Sequence, residues 1–272
     1  MTRAWFGTWV AATVLFPMQA RAQSGGEPNL VFSITAGYTN GGRLWTLDKQ
    51  AIAAPFGQFD TLVLARRLRP GFSAVLAGTL FSSSHVGIGL EVGLFALGSE
   101  SRCAAVDSFR ADAQRLNEQT CGSIQGRHVP TSMVAFQAGL TYQLGDRGRA
   151  QPYVRAGGGV AILGNSFIQT AGLVSTSPNC QTGCPRLVLD AAERKEFVWA
   201  ATLAAGVALP MGPGYRFRAE LRDAITSLPV VTGPADPVST SRVAATGTSL
   251  RHVPSLTFGI DVVLERRRTR RY

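Results

Sequence analysis

From Tyr215 to Arg222 the chain reads Y-R-F-R-A-E-L-R, with apolar and charged residues changing places at every step. A β-strand turns successive side chains to opposite faces. Tyr215, Phe217, Ala219 and Leu221 therefore share one face, and Arg216, Arg218, Glu220 and Arg222 share the other. The same period recurs along the chain. Phe32, Ile34, Ala36 and Tyr38 form a first apolar row. Val86, Ile88, Leu90, Val92, Leu94 and Ala96 form a longer one, set against Gly87, Gly89, Glu91 and Gly93. Further rows run from Val134 to Tyr142, Val154 to Ile162, Phe197 to Leu209 and Leu256 to Leu264. No helix-period pattern of comparable length accompanies them, and period-two segments separated by turn formers specify an all-β domain.

The connections carry more information than the strands. Ser82-Ser83-Ser84, Gly145 to Ala150 and Gly212-Pro213-Gly214 are short. Gly41 to Gln58, Gly98 to Thr131, Asn165 to Glu196 and Pro229 to Pro254 are long. Tight turns alternating with long loops are the layout of an outer-membrane barrel, whose short turns lie on the periplasmic rim and long loops on the outer one. A soluble sandwich or lipocalin-like barrel would share the alternation but turn its apolar face inward. Two features favour the membrane. The face opposite the apolar one is rich in glycine and small residues, as a cramped lumen requires. Tyr142 and Tyr215 lie beside short turns, and Phe197 and Trp199 beside a long loop, like two interfacial girdles. Tyr153 breaks this pattern, because its parity places it with Arg155 in the lumen.

The ends and the cysteines agree with export. Arg3, the apolar stretch from Ala4 to Met18, and Ala20-Arg21-Ala22 read as a secretory leader occupying residues 1–22. A membrane-anchor helix is the rival reading, but the stretch is short of the roughly 20 residues a span needs. The formal charge of +10 is concentrated at the ends. Arg3 and Arg21 fall in the leader, and Arg266, Arg267, Arg268, Arg270 and Arg271 fall in a basic tail at 266–272. The body at 23–265 is only mildly basic, so a nucleic-acid partner is not expected; the tail reads as solvated or lying against anionic lipid. Four cysteines in an exported chain suggest disulfides. The pairing that closes the shortest loops joins Cys103 to Cys121 and Cys180 to Cys184, although three pairings are open. A metal site would need more ligands than the scattered His85, His128 and His252 supply.

Near the C-terminus, Thr257-Phe258-Gly259-Ile260-Asp261-Val262-Val263-Leu264 resembles the terminal-strand signal of bacterial outer-membrane barrels, with Thr257, Gly259, Val262 and Leu264 at its key positions. It departs from the pattern by continuing through Glu265 into the arginine tail rather than ending on an aromatic residue. Gln151 to Gly159 also looks like a strand of that group. On this basis the chain resembles the small outer-membrane β-barrel family of OmpA-like and OmpX-like proteins. The resemblance implies an antiparallel up-and-down transmembrane barrel of eight strands. It also implies contact with outer-membrane lipid and lipopolysaccharide, passage through the barrel-assembly machinery, and a monomer. Ten strands is the alternative, because Pro70-Gly71 inside the even-parity run Leu62, Leu64, Leu68, Phe72, Ala74, Leu76 and Leu80 reads as a turn.

The concentrated polar set is Glu91, Arg155, Arg216, Arg218, Glu220, Arg222 and Asp261, all of lumen parity. In a small barrel these charges are expected to pair across the interior and plug it. The resulting expectation is a non-enzymatic barrel without cofactor, serving envelope integrity or binding an extracellular ligand through disulfide-braced loops. A small anion-preferring channel is the alternative, because four arginines face three carboxylates. An outer-membrane hydrolase is a further alternative. Against it, no Gly-x-Ser-x-Gly motif is present, and Ser84 and His85, if on a strand, would point to opposite faces.

Overall fold

The computed structural model describes residues 29–106, 115–144, 150–164, 167–174, 183–191 and 197–264. The leader, the basic tail and Cys180 lie outside the described residues. Among the described residues twelve strands are present: β1 (Asn29–Thr39), β2 (Arg43–Ala53), β3 (Phe59–Phe81), β4 (Val86–Ala105), β5 (His128–Gln143), β6 (Gln151–Leu163), β7 (Thr170–Val174), β8 (Cys184–Ala191), β9 (Phe197–Gly212), β10 (Tyr215–Val231), β11 (Val243–Ala244) and β12 (Thr246–Leu264). The α-helix α1 (Leu116–Ile124) precedes β5.

Eight strands close a ring. Antiparallel pairing runs β1–β12–β10–β9–β6–β5–β4–β3, and β3 pairs back onto β1. Closure leaves no strand edge, which is what a sheet in lipid needs. The ring count agrees with eight strands rather than ten. Pro70-Gly71 does not turn the chain. It lies inside the continuous β3, where the register to β4 shifts between Arg69 and Phe72. A bulge accommodates a residue that cannot donate to the ladder.

The stretch from Gly41 to Gln58, expected to be a long loop, is instead mostly strand. β2 continues the line of β1 above a break at Asn40-Gly41-Gly42 and pairs with the first half of β3. The two are joined through a single 3-10 turn at Pro55–Gly57. Of the other three long connections, Gly98 to Thr131 and Pro229 to Pro254 are shortened because β4, β10 and β12 run into them, whereas Asn165 to Glu196 keeps its length and contains β7 and β8. Among the described residues of these connections are α1 and a small sheet ordered β11–β8–β7.

Two radial arrangements are stacked in this barrel. In the half next to the short turns, large apolar side chains face outward, among them Ile34, Leu76, Ile88, Leu90, Leu140, Leu203, Leu221 and Ile260. The exposed row runs from Phe72 to Leu80 in β3 and from Val86 to Leu94 in β4, close to the length a tilted strand needs to cross a bilayer. In the half next to the long connections the apolar side chains turn inward. Leu44, Leu47, Ile52, Leu62, Leu64, Phe95, Leu97, Met133, Leu189 and Leu228 form one buried core with Ile124 of α1. The architecture is an eight-stranded transmembrane β-barrel carrying a compact cap built from its own strand extensions.

Candidate functional site

The alternation at Tyr215–Arg222 places Arg216, Arg218, Glu220 and Arg222 on the lumen face of β10 and leaves Tyr215 and Leu221 exposed outside. Their partners arrive from β4, β6 and β12. Arg155 donates to Glu91 (2.8 Å), and Arg222 grips the same carboxylate with both terminal nitrogens while its Nε donates to Glu220 (3.0 Å). Arg218 makes a two-pronged contact with Asp261 (2.8 and 2.9 Å) and lies 3.5 Å from Glu220. Arg216 sits at the end of this row and donates to Gln151 (2.7 Å). The planar guanidinium fork suits such bidentate pairing. Within this group Arg155, Arg218 and Arg222 balance Glu91, Glu220 and Asp261, a condition for holding charges out of water.

Tyr153, whose parity puts it on the lumen face beside Arg155, joins this group. Its hydroxyl donates to Glu220 (2.7 Å), and its ring lies under the Arg218 guanidinium, 4.5 Å from the ring centre. The parity that excluded it from the aromatic girdle was the available signal. Gly206 on β9 makes the room, since a Cβ there would sit 2.5 Å from the Tyr153 hydroxyl. Above this level Thr202 donates to Gln137 (2.7 Å). Beside Glu91 and Arg155 the free space is about 20 Å³, little more than one water. At the end next to the short turns Val31, Phe81 and Val263, on the neighbouring strands β1, β3 and β12, pack together.

Above the charges the cap core fills the barrel mouth, and polar clasps fasten it. Trp45 donates to the Phe167 carbonyl (3.0 Å). Gln50 donates to the Ala235 carbonyl (3.0 Å) and accepts from the Ala235 amide (2.8 Å). Asn117 of α1 bridges Asp60 (2.7 Å) and Arg186 (2.8 Å), and Arg186 also reaches the Ala53 carbonyl. Arg66, buried under Trp45, donates to Ser101 and to the Gln169 carbonyl. Burial, with the nearby Arg127 charge adding to it, pulls its guanidinium down to about 10. Cys103 and Cys121 are joined by a disulfide that ties the top of β4 to α1. Cys103 is thus a strand residue rather than a loop residue. Cys184 at the start of β8 is also disulfide-bonded.

Thr257 and Gly259 of β12 face inward, and Leu264 is exposed. A Cβ at Gly259 would collide with the Ile34 carbonyl oxygen, so this position of the terminal strand lets β1 and β12 close the ring. Ser84 and His85 do not diverge as a strand would make them. They lie in a bend, where the Ser84 hydroxyl meets His85 Nδ1 at 2.7 Å on the exposed rim. His252 pairs with Asp223 (2.6 Å) on the outer face. Among the described residues no three His, Cys, Asp or Glu side chains gather as a metal site.

No protein-family model matches the chain, and the curated proteins hold no significant match. Several solved structures are similar. Neisserial surface protein A is 10% identical with a TM-score of 0.39, over 87% of this chain and 99% of its own. Outer membrane protein OprG from Pseudomonas aeruginosa is 11% identical with a TM-score of 0.47, over 88% and 96%. Outer membrane protein AlkL, solved in lipid bilayers, is 14% identical with a TM-score of 0.41, over 90% and 95%.

Proposed function

We propose that this chain is a plugged barrel of the outer membrane that displays a rigid extracellular cap for envelope integrity or surface interaction. The observation that carries the reading is the filled lumen. The charge network leaves about 20 Å³ beside Glu91 and Arg155, and a continuous apolar core occupies the mouth above it. A path for solute would have to part both layers at once. The pairing of Arg155, Arg218 and Arg222 with carboxylates also works against an anion path, since their attraction is already spent on fixed partners. Cap residues held by a disulfide and long-range clasps lose little entropy on meeting a partner, which suits a binding surface. In this reading the barrel inserts as a monomer through the assembly machinery, guided by Thr257, Gly259, Val262 and Leu264.

Reconstitution into planar bilayers tests the plug. The expected result is a silent membrane. Stable single-channel steps with anion preference, altered by Arg216→Ala with Arg218→Ala, would overturn it. Fractionation with a heat-modifiability gel tests the address, a faster-migrating unboiled band in the outer-membrane fraction being the expected result.

A further inference from the structure

On the outer wall of the cap, just above the apolar belt, the strands gather arginines. Arg43 of β2, Arg67 and Arg69 of β3 and Arg102 of β4 are all exposed. The register brings them together: Arg43 lies opposite Arg67, Arg67 opposite Glu100, and Arg69 opposite Gly98. Arg43, Arg67 and Arg102 line a surface recess of about 530 Å³ together with Gly41, Gly42 and Ala65, and Arg69 adjoins it between the lining residues Leu68 and Pro70. Glu100 is the carboxylate within the group, bonded to Arg67 (3.1 Å) and 3.7 Å from Arg102. Desolvation alone would raise the Glu100 carboxyl, but the Arg67, Arg102 and His128 charges outweigh it and hold it below the ordinary range. Its single negative charge stands against four positive ones. Among the described residues Arg43 and Arg69 have no carboxylate partner.

Height decides what such a recess can meet. Across the bulge from Arg69 comes Phe72, paired with Tyr38 of β1, and both are exposed residues of the lipid-facing row. The recess thus stands directly over the edge of the belt, on the side of the long connections, where the phosphates of outer-leaflet lipid lie if the barrel sits as proposed above. Arginine recognises phosphate through paired donors, and small lining residues let a headgroup approach the backbone.

We propose that Arg43, Arg67, Arg69 and Arg102 form a binding site for the phosphorylated headgroup of an outer-leaflet glycolipid. Its acyl chains would descend along the apolar wall at Phe72 and Tyr38. The inference rests on the outer-membrane reading.

The test uses the full-length barrel in phosphatidylcholine nanodiscs, titrated with bis-phosphorylated lipid A, dephosphorylated lipid A and inorganic pyrophosphate. Saturable binding of the phosphorylated lipid is expected, weakened about fivefold for each arginine removed in Arg43→Gln and Arg69→Gln. Arg115→Gln, whose guanidinium is held by Glu118, should leave it unchanged. Equal binding of dephosphorylated lipid A, or no loss in the double variant, would overturn the site. Pyrophosphate binding as tightly as lipid A would overturn the lipid assignment in favour of a soluble anion. The same preparations are scored for outer-membrane fractionation and heat-modifiability. A chain absent from that fraction fails the outer-membrane reading itself, whereas a correctly located chain indifferent to phosphate fails this inference alone.

Discussion

The two halves of β3 use one sequence rule to opposite ends. Leu62, Leu64 and Leu68 point into the cap core, whereas Phe72, Leu76 and Leu80 point out of the barrel, yet all six have even numbers. The bulge between Arg69 and Phe72 takes up one residue, and a one-residue slip exchanges the faces of everything beyond it. β4, its neighbour, has the same inversion without a bulge. Its even positions stay outside throughout but change from Ile88, Leu90 and Leu94 to Glu100 and Arg102, while its odd positions change from Gly87 and Glu91 to Phe95, Leu97 and Cys103. The comparison shows that radial polarity is set by the local solvent. Where lipid lies outside, the interior must be polar and paired; where water lies outside, the interior can be apolar.

The largest expected effect lies in the membrane half. Glu220→Ala would remove the carboxylate that Arg222, Arg218 and the Tyr153 hydroxyl share, leaving three buried arginines against Glu91 and Asp261. A loss of about 4 kcal/mol is expected, read as a lower urea midpoint for the barrel in lipid vesicles. A change under about 1 kcal/mol would mean that the lumen hydrates freely, and the contrast between a dry lumen and a dry cap would lose its basis.

The matching change in the cap is Leu62→Ala, which empties a fully buried site in the apolar core. It should cost about 3 to 4 kcal/mol, but locally. Amide exchange and protease cutting should increase in α1, β7 and β8, while the heat-modifiable shift of the membrane half persists. Simultaneous loss of both would show the halves to be a single cooperative unit. Replacing Cys103 and Cys121 together by serine opens a crosslink spanning 18 residues. It should remove about 3 kcal/mol from the cap by the loop-entropy account, again without touching the lumen network.

Legibility in the sequence divided along the same boundary. The membrane half was plain, because lipid outside and a narrow lumen inside force strict alternation at Val86–Ala96 and Tyr215–Arg222. The cap was not. Gly41 to Gln58 looked like a loop because Leu44 and Trp45 are buried side by side, and the register slips at Arg43/Trp45 and Leu47/Gln50 break the period of two. Pro70-Gly71 looked like a turn because the same residues that end strands also make bulges. Ser84 and His85 meet because the chain bends there, where a strand would turn them to opposite faces. The lumen pairing depends on which strands are neighbours, and periodicity assigns faces but not neighbours. Tyr153 shows the point: its face was readable, whereas its contact with Glu220 needs β6, β9 and β10 side by side.

Tyr153→Phe gives the smallest expected effect and the finest test of the lumen. The substitution keeps the ring under Arg218 and removes only the hydroxyl that donates to Glu220. A charge-assisted bond in a buried setting is worth about 2 kcal/mol, so the midpoint should fall by roughly half of what Glu220→Ala produces. In the Glu220→Gln background the same change should cost clearly less, because the acceptor is no longer charged. That non-additivity is the signature of a shared network. Equal costs in both backgrounds would mean that the Tyr153 hydroxyl does not draw on the Glu220 charge. The polar layer would then be a set of separate ion pairs, and the lumen would resemble the cap more than its composition suggests.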